Sequence, residues 1–212
     1  MTEPKPRGRP RRFDKDTALK SIKNLFWKQG FSATSLDDIA KETNINRPSL
    51  YAAFGSKEEM YLACMDLFVK DMTTMAEQAL KSAPDARSGL INLFEGAIAI
   101  YTNNNVARGD KIEVPLGCLI ACTAPSEAFY SERIATVLQK AFAELDASFS
   151  DALSRESAGV ASIPEEQRPM IAQMLGTLLN GIGVRARAGA SAEELNQIAV
   201  HYIDCLLPPP RS

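Results

Sequence analysis

An all-α fold is predicted by three features of this sequence. Apolar residues recur at helical spacing almost throughout, and no alternating apolar–polar run is long enough to defend as a strand. The breaks between periodic stretches hold helix caps and stops such as Gly30, Ser56 and the prolines at 208–210.

The first predicted helix covers residues 14–29, with Ala18, Ile22, Leu25 and Phe26 on one face and Gly30 as its stop. Residues 34–57 then encode two short helices joined by a tight turn. Ser35 is a good N-cap with Asp38 three residues on, a capping-box-like start. Leu36, Ile39 and Ala40 form an apolar face, and turn-forming residues at 43–46 interrupt it with Ile45 as an anchor beneath. Asn46 is placed to cap the second helix. Pro48 is tolerated in its first turn because the N–H it lacks would have no partner there. Leu50 and Phe54 make that helix's buried pair, leaving Arg47, Ser49, Tyr51 and Ala52 outward. The pattern over 35–54 is a helix-turn-helix.

Ser56 caps a long helix predicted over 57–80, and another follows over 85–101. The polar stretch 102–115, with Gly109 and Pro115, reads as a loop. A short apolar segment at 116–124 precedes helices over 131–156, 164–188 and 191–206, and there is no internal repeat.

With 212 residues, 45% of them hydrophobic, the chain can bury a large core. Its net charge of −2 names no partner, but the charge is unevenly placed. Residues 1–57 hold twelve Lys/Arg against six Asp/Glu, a balance of +6, while the rest holds twelve against twenty, −8. A basic head on an acidic body points to nucleic acid at one end. No run of 18 apolar residues exists, so no membrane span is expected, and the basic N-terminus leads into an amphipathic helix, unlike a secretory signal. Cysteines at 64, 118, 122 and 205 match no zinc spacing and are too few for a disulfide scaffold, which suits a cytoplasmic location. No phosphate loop, nucleophile elbow or paired ligand motif appears, so neither an enzyme nor a cofactor is expected. His201 has no second His and no Cys-x-x-Cys near it, so a metal site is not expected either.

The run Ser49-Leu50-Tyr51-Ala52-Ala53-Phe54-Gly55-Ser56-Lys57-Glu58-Glu59 follows a basic arm and one helix and precedes a longer helical remainder. In this it resembles the TetR (tetracycline-repressor) family, over roughly the first 60 residues. The resemblance implies a homodimeric transcriptional regulator, usually a repressor, binding an inverted-repeat DNA operator. A small effector entering the C-terminal part would change the spacing of the two DNA-reading heads. The boundaries expected on this basis are a basic arm at 1–12, a DNA-binding domain at 13–60 and a regulatory and dimerisation domain at 61–212.

Residue roles follow. Arg47 and Ser49, beside Pro48 at the start of the second helix, are candidates for base-edge contacts, since Arg pairs bidentately with guanine. Tyr51 is placed to reach a phosphate. Thr34 and Ser35 stand at a helix N-terminus, where hydroxyl and N–H groups hold phosphate, and Lys57 is a further phosphate contact by its position in the motif. Arg7 and Arg9, in an Arg-Gly-Arg-Pro segment, read either as a minor-groove arm or as a disordered basic tail adding salt-sensitive affinity.

In the body, Ala172, Gly176, Leu179, Gly183 and Ala186 fall close to one face of the next-to-last helix. Either a partner helix approaches there, as the family's two-fold helix pairing implies, or neighbours within one subunit do. Some family members with a Gly-Cys-Leu segment respond to oxidants or electrophiles, so Cys118 and Cys122, four apart on a helix face, are candidate sensors. Buried small hydrophobes are the other reading. Phe94, Tyr101 and Phe142, with Phe129 and Phe149, either line a cavity for a mainly apolar effector or fill a core.

Overall fold

The computed structural model describes residues 13–102, 114–154 and 163–207. In them the chain forms ten α-helices: α1 (Lys15–Gln29), α2 (Leu36–Thr43), α3 (Arg47–Phe54), α4 (Lys57–Ser82), α5 (Ala86–Tyr101), α6 (Leu119–Thr123), α7 (Pro125–Ala128), α8 (Glu132–Leu153), α9 (Arg168–Arg187) and α10 (Ala192–Leu206). No strand occurs among the described residues. A 3-10 turn over Glu165–Gln167 leads into α9.

Most helices start where a short polar side chain satisfies an orphan N–H. Asp14, Ser35, Asn46, Ser56, Asp85, Ser131 and Ser191 each accept from the backbone N–H three residues on. Each such cap contributes about 1 kcal/mol. At Ser35 and Ser56 the box is complete, with Asp38 and Glu59 reaching back to the cap residue's own N–H.

Helices α1 to α3 pack as a small head around Ile22, Phe26, Ile39 and Leu50, all fully buried. The long α4 belongs to both parts. Its first half carries Tyr61 against Phe26 and Phe31 of the head, with ring centroids 5.2 and 5.1 Å away. Its remainder packs on α5 and α8. Inside the body α5 is central: Leu90, Leu93, Phe94, Ala97 and Ile98 are buried, and the helix touches α4, α8, α9 and α10.

Three sequence expectations change here. Residues 125–128 form a short helix that the pattern was too brief to reveal. Cys118 does not sit within a helix beside Cys122; it is the N-cap of α6. The third correction concerns α9. Ala172, Gly176, Leu179, Gly183 and Ala186 are all buried inside the chain itself, not presented to a partner. A Cβ on Gly183 would stand 2.6 Å from Cys118 Cβ and 3.0 Å from its backbone nitrogen, and one on Gly176 would stand 2.5 Å from Asp146 Oδ1. The small residues therefore make room for neighbours in the same subunit. The outward strip is the next one round, with Met170, Met174, Thr177, Gly181, Val184 and Ala188 exposed.

Candidate nucleic-acid interface

The head presents α3 to solvent on a firm base. Asn44, in the left-handed conformation at φ 53°, turns the chain out of α2, and Asn46 Oδ1 accepts from Ser49 N–H at 2.9 Å to start α3. Leu50 and Ala53 face inward, so Ala53 makes no outward methyl contact. Phe54, half-buried, stacks on Phe13 at 6.4 Å. Arg47, Pro48 and Tyr51 are exposed, with Ser49 half-exposed beside them. Arg47 is not idle: its Nε donates to Asp37 Oδ1 at 2.6 Å, and a second guanidinium nitrogen pairs with Asp37 Oδ2. Both side chains are open to water, so this pair is weak and exchangeable. It parks the guanidinium at the edge of the reading helix.

Two expected phosphate contacts turn inward. Thr34 is buried and its hydroxyl donates to the Gly30 carbonyl at 2.7 Å, while its N–H bonds Phe31 O at 3.2 Å. With both donors used inside the turn, Thr34 shapes the loop. Lys57 Nζ donates to the carbonyls of Phe31 (2.9 Å) and Thr34 (2.8 Å) and lies 4.2 Å from the Phe31 ring centre. Partial burial lowers its pKa. Lys57 is thus first a strut for the 30–35 turn, with one N–H left over. Ser35 stays exposed at the start of α2, and Arg7 and Arg9 lie outside the described residues.

Besides the shared α4, the head is tied to the body where the end of α1 meets α6, α7 and α9. Trp27 Nε1 donates to Gly117 O at 3.0 Å. Arg187, at the end of α9, donates to Trp27 O (3.0 Å), Leu116 O (3.1 Å) and Lys28 O (3.1 Å), so one cation caps the carbonyl end of α1. Tyr61 and Thr123 share a buried 2.6 Å hydrogen bond, and Ser32 donates to Glu127 at 2.8 Å. Nothing in the sequence spacing pointed to Asp37, Trp27 or Arg187, because their partners lie 10, 90 and up to 160 residues away.

In the body a cavity of about 60 Å³ lies among α4, α5, α8, α9 and the start of α6. Tyr101, Cys118 and Phe142 line it together, with Phe68, Met72 and Met75. Phe94 does not: it is core, stacked on Phe149 at 6.0 Å. Phe129 is exposed on the turn after α7, edge-on to Tyr130 at 5.1 Å. Cys122 faces away, its Sγ 3.6 Å from Gly183 O. Burial pushes the Cys118 thiol up to about 11 and raises Cys122 as well, so neither is held as the thiolate that oxidants and electrophiles attack. Among the described residues no cluster of His, Cys, Asp or Glu is placed to hold a metal, and no helix is long and apolar enough to cross a membrane.

Residues 18–64 match the family model described as bacterial regulatory proteins, tetR family. The chain is also 30% identical over 196 residues to the HTH-type transcriptional repressor ComR of Escherichia coli (strain K12), spanning 92% of this chain and 90% of that protein. The chain belongs to the TetR family. A second TetR-like relative, the HTH-type transcriptional repressor BdcR of the same strain, is 26% identical over 89% of this chain and 86% of its own length. Among solved TetR-family structures, a cysteine variant of CifR in complex with 26-base-pair operator DNA superposes with a TM-score of 0.80 at 28% identity. It covers 92% of this chain and 98% of that one.

Proposed function

We propose that this chain is a homodimeric transcriptional repressor that reads an inverted-repeat operator through α3 and is released by a small, mainly apolar effector bound in the body. The observation that carries the reading is α3 itself, a capped helix with Arg47, Pro48, Ser49 and Tyr51 on its outer side and its apolar side locked into the head. ComR and BdcR are described as repressors, and the CifR variant sits on operator DNA, which supports the same assignment here. In this scheme Arg47 exchanges Asp37 for a guanine edge, Ser49 reads the neighbouring base, and Tyr51 and Ser35 hold phosphates. The arm carrying Arg7 and Arg9 adds either minor-groove contacts or salt-sensitive affinity.

Dimerisation is assigned to the outward strip of α9. Met170, Met174, Thr177, Gly181, Val184 and Ala188 alternate four and three residues apart, the seam that lets two helices pack closely. Among the described residues, nothing beyond the helix's own backbone stands within 4 Å of a Cβ on Gly181, which leaves room for a partner helix. Two heads so joined read two half-sites.

The test is a gel shift with the DNA upstream of the gene that encodes this chain, against a scrambled duplex of equal length. Sequence-dependent binding that weakens steeply with salt is expected. Equal affinity for both duplexes would remove the repressor reading.

A further inference from the structure

The cavity in the body restricts what the effector is. Its floor carries two buried polar groups, the Tyr101 hydroxyl and the Cys118 thiol, and both residues line the space. A thiol is a weak acceptor, so the cavity offers this hydroxyl a poor neighbour in Cys118. The half-buried Thr73, Ser148 and Asn180 and the exposed Glu144 mark the side nearest solvent. Among the described residues that line the cavity none is Lys, Arg or His, and the carboxylate at its mouth is Glu144.

We infer that the effector is an uncharged, mainly apolar molecule carrying an oxygen acceptor for the Tyr101 hydroxyl. The inference rests on the repressor reading above and concerns the same cavity. An anion brought to this floor would lose its water, meet no cation among the described lining residues and pass Glu144 on the way. The protein's own groups report the same environment, since burial raises both the Tyr101 hydroxyl and the Cys118 thiol. A ligand oxygen accepts better than the thiol that lines the same floor, so an oxygen placed against the Tyr101 hydroxyl is favoured. At about 60 Å³ the space is smaller than the roughly 150 Å³ cavity that holds benzene, so entry requires Met72 and Met75 to move. Their unbranched, rotatable side chains allow that movement.

The test uses three small probes of similar size and different charge: benzyl alcohol, benzoate and benzylamine, at neutral pH. Two readouts serve, the thermal midpoint and the fluorescence of Trp27. This is the chain's one tryptophan, edge-on to the cavity residue Phe68 at 5.1 Å. Benzyl alcohol is expected to raise the midpoint and shift the emission, with the two ions inert at the same concentration. Tyr101→Phe, which keeps the ring, is expected to weaken benzyl alcohol about fivefold. Ala141→Phe, on the half-buried wall, fills the space and is expected to abolish the response while leaving Tyr101 untouched. Benzoate or benzylamine acting as strongly as benzyl alcohol overturns the inference, and so does a full response in either variant. The operator gel shift without any probe reports on the repressor reading separately, so failure of one is told from failure of the other.

Discussion

At the scale of single residues, the exposed ion pair between Arg47 and Asp37 sets a competition on the reading surface. The guanidinium has a carboxylate to leave before it meets a base, and that carboxylate also repels the DNA backbone. Arg47→Ala is therefore expected to cost about 1–3 kcal/mol of specific binding and to relax base preference at one position per half-site. Asp37→Asn should act in the opposite direction, tightening binding to operator and scrambled duplex alike. Anisotropy titrations of both variants at two salt concentrations decide it, and unchanged affinity in Arg47→Ala would exclude that residue from the interface. Cys118 carries a second expectation. Its thiol stays protonated to about 11 in the folded chain against 9.0 ordinarily. The native state thus keeps a proton that the unfolded state gives up, and this group's contribution to stability falls as pH rises above about 9. Below that, alkylation of the folded protein at pH 8 should reach the exposed Cys205 and spare the buried Cys64 and Cys118, read by peptide mass mapping.

Among the elements, α9 shows what a sequence reveals and what it withholds. Helix starts were legible because a Ser, Asp or Asn cap is a local device: Ser35, Asn46 and Ser56 announce themselves within four residues. The period of α9 was equally plain. Which of its faces meets a partner was not, because a small residue permits close approach by any backbone, from the same chain or another. Thr34 and Lys57 show the same limit: their place near a helix N-terminus is local, but the carbonyls that take their donors come from the folded 30–35 turn. The two faces of α9 now predict different phenotypes. Gly183→Ala forces a Cβ to within 3.0 Å of the Cys118 backbone and should destabilise the subunit by about 1–3 kcal/mol in urea melts. Met174→Glu, on the outward strip, should leave the subunit folded and shift sedimentation from dimer to monomer. A dimer that survives Met174→Glu places the interface elsewhere.

Over the whole molecule, a basic head and an acidic body share the long α4, and a short segment at 116–117 bridges the cavity and the end of α1. Tyr101 O, at the cavity floor, accepts from the N–H groups of Leu116 (3.1 Å) and Gly117 (3.0 Å). The carbonyls of those same two residues accept from Arg187 and Trp27. A displacement of Tyr101 therefore reaches the end of α1 through groups that are directly bonded. Gly117 is suited to this crossing: its φ of 66° is left-handed, and a side chain there would run into the Gly183 carbonyl. Arg187 closes the joint from the α9 side, because its three carbonyl partners belong to α1 and to that segment. Arg187→Gln should lose about 2 kcal/mol, since hydrogen bonds from a charged donor are the stronger kind. The loss should be local. Hydrogen exchange is expected to quicken in the last turn of α1 and at 116–117 while the amides of α5 and α10 keep their protection. Uniform loss of protection across head and body would mean that Arg187 supports the fold as a whole. Selective loss at the joint makes it the element through which an occupied cavity is felt by α3.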